Sequence, residues 1–71
     1  MSADIYRTHL KETFLLLPRG ASLDNVPREV LAGLGAPEFL NSRDLDDPFL
    51  SVNTAGIRLD LTAQGYAIRE V

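Results

Sequence analysis

The chain has 71 residues, a formal net charge of −3, one histidine and no cysteine, so its length corresponds to a single domain over residues 1–71. Without cysteine, disulfide bonds and thiolate zinc sites are excluded. The negative charge, with only 7 lysine and arginine residues spread along the chain, disfavours nucleic acids and anionic membranes as partners.

The apolar runs of the sequence are short. The run "LLL" at residues 15–17 is stopped by Pro18 and is too short for a signal peptide or a membrane span, so we expect a cytoplasmic protein. A domain of this length buries only about 60% of the surface that its unfolded chain exposes. Its core is therefore small, and we expect a monomer or a weak dimer.

The first two elements form a predicted hairpin. The segment "ADIYRTH" contains the β-forming residues Ile5, Tyr6 and Thr8 and predicts a strand. The apolar segment "ETFLLLP" predicts a second, mostly buried strand. The polar break "HLKE" between them has the length of a hairpin turn, although it lacks the Gly or Asn that tight turns favour. We expect Tyr6 to pack inward and residues 9–12 to turn in solvent.

A short helix is predicted near residues 27–34, in the segment "VPREVLAGLGAPEF". Its apolar residues recur every four positions, at Val26, Val30 and Leu34. Gly33 or Gly35 can provide the left-handed residue that ends the helix, and Pro37 prevents its continuation.

The second half of the chain is harder to assign. The segment "EFLNSRDL" predicts a third strand suited to a sheet edge, and "DDP" predicts a turn. In "SVNTAGIRLDLTAQGY", the apolar residues 57, 59 and 61 alternate with polar ones, as in a strand. The same segment also fits a helix that Ser51 or Asn53 caps and Gly65 ends. The local pattern leaves both open, and "YAIREV" predicts a final short strand.

Several of these segments recur in an order known from one family. "IYR" precedes a polar loop and "TFLLL", "VP" opens a helix that ends in "GLGAP", and "DLD" and "LTAQGYAI" follow. From Ile5 to Ile68 the chain thereby resembles the YcgL-domain family of small bacterial proteins. The resemblance implies an α/β (α+β) sandwich, with two helices packed on a small, mainly antiparallel sheet of about four strands. It also implies a helix over residues 52–64, and it supplies no established biochemical role.

Few residues suit catalysis or metal binding. His9 has only Lys11 and Glu12 near it in sequence, so we interpret it as an exposed turn residue. The acidic residues at 44–47 lack the Gly and the distal Glu of a calcium loop and are typical of a turn. The glycines near residue 34 follow a helix, whereas a phosphate-binding loop precedes one. We therefore expect no enzymatic activity, no cofactor and no metal.

Two surface regions are candidates for binding. Arg7 ends the first predicted strand, and His9 and Lys11 belong to the loop that follows it, which is less basic than is typical of the YcgL-domain family. Phe39, Phe49 and Leu50 flank the acidic turn, and they form either an exposed apolar patch or ordinary core. The favoured function is a non-enzymatic protein-interaction module. The alternative is a binder of nucleic acid or anionic ligands that gathers five basic residues on one face: Arg7, His9, Lys11, Arg19 and Arg28.

Overall fold

The computed structural model describes residues 2–10, 12–45 and 56–70. Four antiparallel strands form one sheet in the order β3-β1-β2-β4, and a helix packs on each of its faces. The elements in chain order are β1 (Ser2–Arg7), β2 (Thr13–Pro18), α1 (Arg28–Leu34), β3 (Glu38–Asp44), α2 (Ile57–Ala63) and β4 (Ala67–Glu70), with a 3-10 turn at Leu23–Asn25 before α1. This small α+β fold confirms the fold class expected from the sequence.

The core is built on both faces of the central strand β2. Successive residues of a strand point to opposite faces, and yet Leu15, Leu16 and Leu17 are all almost fully buried. Leu16 lies in the cluster under α2, together with Ile57 and Leu61 of that helix. Leu15 and Leu17 lie in the cluster under α1, which also contains Val26 and Leu34. A strand that is apolar on both faces thus requires a helix on each side.

The first helix agrees with its prediction. It covers Arg28–Leu34 and places Leu34 against the sheet, with Val30 and Leu31 partly buried beside it. Gly35 follows the helix with a φ of 78° and a ψ of −163°, a conformation that essentially only glycine adopts. Of the two glycines named from the sequence, Gly35 is therefore the one that ends α1.

The second helix corrects one expectation and resolves the ambiguous segment. Residues 57–63 are helical, so the strand interpretation of the alternating pattern is wrong. The resemblance implied that Gly56 lies inside the helix, but it stands just before the first helical residue, with a φ of 82°. Glycine adopts this left-handed backbone conformation at little energetic cost. The proposed caps Ser51 and Asn53, and residues 52–55, lie outside the described residues. The predicted end is confirmed, because the Gly65 N–H donates to the Leu61 carbonyl at 3.1 Å.

The predicted β1–β2 hairpin is confirmed, and a threonine closes its turn in place of Gly or Asn. The Thr8 hydroxyl donates to the Thr13 carbonyl at 2.8 Å and accepts from the Leu10 N–H at 3.2 Å. Glu12 adopts a φ of 59°, which is unusual for a residue other than glycine. As expected, Tyr6 is half-buried, whereas Arg7, His9, Leu10 and Glu12 are exposed.

A buried carboxylate joins three parts of the sheet. Asp4 of β1 accepts a hydrogen bond from the Gly20 N–H, just after β2, at 3.0 Å. Its other oxygen accepts from the Ser42 hydroxyl on β3 at 2.5 Å. Both interactions cross long stretches of sequence, and nothing in the local pattern around Asp4 indicates them. The residue therefore ties the edge strand β3 to the turn that follows the central strand.

Replacing this carboxylate should destabilise the fold more than an ordinary surface change. We expect Asp4→Ala to lower the free energy of unfolding by about 2 kcal/mol, because it leaves the Gly20 N–H and the Ser42 hydroxyl without their acceptor. The matched control is Asp24→Ala, at an exposed position, where the change should stay within about 0.5 kcal/mol. Urea denaturation followed by circular dichroism measures both, and equal losses would contradict this role for Asp4.

Candidate functional site

The first candidate region lies where β1 leaves the sheet. Arg7, Thr8 and His9 line a shallow recess together with Ala36 and Glu38, and its volume is about 120 Å³. Glu38 lies opposite Arg7 in the β1–β3 register, so a carboxylate stands beside the arginine that an anionic ligand would contact. Lys11 lies outside the described residues. Small-molecule pockets usually measure about 300–1,000 Å³, so the recess is a weak candidate for a ligand site.

His9 has a structural role that the sequence did not indicate. Its backbone N–H donates to the Leu34 carbonyl at 2.9 Å, which satisfies one of the open carbonyls at the end of α1. Its side chain lies against Gly35, since a Cβ added there would be 2.7 Å from His9 Cγ and 2.8 Å from His9 Cβ. The histidine thus joins the hairpin turn to the end of α1, although the residue as a whole is exposed.

The structure does not bring the described basic residues together. Arg7 and His9 lie at the end of β1, whereas the Arg19 N–H donates to the carbonyl of Ser2, at its beginning. The length of β1 therefore separates them, which is about 17 Å for such a strand. Arg28 opens α1 and is about 9 Å along the helix axis from the end that contacts His9. The residues do not form one compact patch.

The second candidate region is the edge strand β3. Six of its seven residues are exposed and Arg43 is intermediate, and β1 is its one neighbour among the described strands. Phe39 is 53% exposed and Leu40 is 38% exposed. The Phe39 ring contacts Tyr6 edge-on, with ring centroids 5.6 Å apart. Phe39 therefore belongs to an apolar surface rather than to the core, and we call Glu38–Asp44 the β3 edge.

The remaining residues named from the sequence fall partly outside the part of the chain that the structure describes. Phe49 and Leu50, and the acidic residues at 46 and 47, lie outside the described residues. Among the residues that are described, no group of three or more His, Asp or Glu side chains is arranged to hold a metal ion. The helices in this part of the chain lack the length and apolarity to cross a membrane.

The fold defines a small α+β domain in which a four-stranded antiparallel sheet lies between two helices. No protein-family model matches the chain, and no curated protein matches it. The resemblance to the YcgL-domain family therefore stays a prediction from the sequence.

The contact between His9 and Gly35 can be tested with three substitutions. Gly35→Ala should lower the free energy of unfolding by about 2 kcal/mol or more, because alanine resists this backbone conformation and its Cβ meets the ring. Gly33→Ala, in the helix with open space around it, should instead raise the free energy of unfolding by about 0.5–1 kcal/mol. In a His9→Ala background, Gly35→Ala should cost less. Strictly additive losses would contradict a contact between the ring and Gly35.

Proposed function

We propose that this protein is a non-enzymatic protein-interaction module whose binding surface is the β3 edge. The observation that carries the proposal is the exposure of Phe39 and Leu40 on a strand with a described neighbour on one side only. Such a strand presents backbone N–H and C=O groups in a row, which can hydrogen-bond to an added strand. Apolar side chains beside these groups increase the affinity for the added strand.

The flanking side chains favour a selective interaction. Glu38 stands at one end of the β3 edge, and Arg43 and Asp44 stand at the other. Charges on an edge strand disfavour pairing with arbitrary strands, while opposite charges placed directly across two strands stabilise the pair. An added strand is therefore selected by its charges as well as by its apolar residues.

A basic binding surface for nucleic acid or anionic ligands has less support. Arg19 and Arg28 lie away from the recess that contains Arg7 and His9, and Glu38 lines that recess as well.

We also propose that the module belongs with the YcgL-domain proteins that its sequence resembles, and that it acts in the bacterial cytoplasm. The cysteine-free sequence is compatible with that compartment.

Site-specific photo-crosslinking tests the surface directly. We would replace Phe39 by p-benzoylphenylalanine, which keeps an aromatic ring at the β3 edge, and irradiate the protein in bacterial lysate. We expect discrete covalent adducts with protein, identified by mass spectrometry, and a smaller yield when Leu40→Asp is added. Adducts with a second copy of the chain count equally, because they also use this surface.

The matched control places the same crosslinker at Leu59. This residue is apolar and 70% exposed, but it lies on α2, which packs against β2 and β4, whereas β3 is at the opposite edge of the sheet from β4. If position 39 yields no adducts beyond those of position 59, or if Leu40→Asp leaves them unchanged, the proposed function is wrong.

A further inference from the structure

We infer that the β3 edge pairs with the β3 edge of a second copy of this chain, antiparallel and with Glu38 opposite Arg43 of that copy. The result is one continuous sheet across a two-fold axis, with the four described strands of each copy in it. This inference rests on the proposed function, since it names the partner of the same surface. It is carried by an irregularity in β3 that makes the strand complementary to itself.

The irregularity is an extra residue at Leu40. Asn41 pairs with Ile5 of β1 and Phe39 pairs with Tyr6, so no residue of β1 lies opposite Leu40. Residues directly opposite each other in a sheet share a face, and a bulge shifts the alternation by one position. Simple alternation along β3 therefore does not predict which faces the side chains on either side of Leu40 share.

The bulge places Glu38 and Arg43 on the same face. Glu38 pairs with Arg7 and Arg43 pairs with Ala3, and these two residues of β1 share a face because they are four positions apart. In a regular strand, residues five positions apart would point to opposite faces. Opposite charges at the two ends of β3 can therefore meet across a two-fold axis. The symmetry produces two such pairs, each between Glu38 of one copy and Arg43 of the other.

The same register also matches the other side chains. It sets Phe39 opposite Ser42, both on the face under α1 because their β1 neighbours Tyr6 and Asp4 are on it. In the centre it sets Leu40 opposite Asn41, at the bulge itself. Moving the second strand by one residue places side chains of opposite faces across from each other, and it separates Glu38 from Arg43. One register is thus favoured by geometry and by charge together.

The charges are available for this pairing. Glu38 is exposed. Arg43 is intermediate in exposure, and the five N–H donors of its guanidinium let it bond to a carboxylate of the second copy in addition to contacts in its own chain. The apolar pair Phe39 and Leu40 is covered in the same step.

Sedimentation equilibrium of the purified chain tests the inference. The native chain should show a mass that rises with concentration from 7.8 kDa towards twice that value. Glu38→Arg and Arg43→Glu, each alone, should raise the dissociation constant of the dimer about tenfold, because each variant opposes like charges in both pairs. An equimolar mixture of the two variants should associate as the native chain does, because each new charge then faces its opposite.

Circular dichroism of each variant confirms that it folds, and the mixture keeps the test valid if a single variant loses some stability. A native chain that stays at 7.8 kDa up to millimolar concentration would overturn the inference, and so would a mixture that fails to associate. If the native chain is monomeric while position 39 still crosslinks to a different protein, the homodimer is wrong and the proposed function stands.

Discussion

The structure depends on the burial of three consecutive leucines in the central strand β2. Leu15, Leu16 and Leu17 point alternately to the two faces of the sheet and are almost fully buried on both. Truncating one buried leucine to alanine costs about 2–5 kcal/mol, which is comparable with the whole stability of a small domain, about 5 kcal/mol at the low end. The chain must therefore cover both faces of its sheet, although only 71 residues are available.

That constraint explains why β3 is exposed. The four strands span about 14 Å from β3 to β4, at roughly 4.8 Å between neighbours, whereas a helix with its side chains is about 10 Å wide. One short helix on each face covers the centre of the sheet and leaves an edge strand uncovered by the described helices. The Phe39 ring contacts Tyr6 edge-on, and the extra residue at Leu40 places Glu38 and Arg43 of this strand on one face.

Local signals predicted much of this fold, and long-range contacts account for what they missed. The hairpin, α1 and the stop at Gly65 follow from apolar periodicity and glycine positions. The alternation of residues 57, 59 and 61 was ambiguous because a helix that buries Ile57 and Leu61 and exposes Leu59 produces the same pattern. The contacts of Asp4 and His9 reach distant segments, and the bulge depends on the register with β1. No local pattern encodes these features.

Amide hydrogen exchange measured by NMR tests most directly whether β3 is an open edge that a second strand completes. In dilute solution, the β3 amides that point towards β1 should be protected, and those that point away from β1 should exchange rapidly. As the protein concentration rises, the outward amides should gain protection, while the exchange of the β4 edge stays unchanged. Outward β3 amides that are already protected at dilution, or that exchange equally fast at every concentration, would contradict the account.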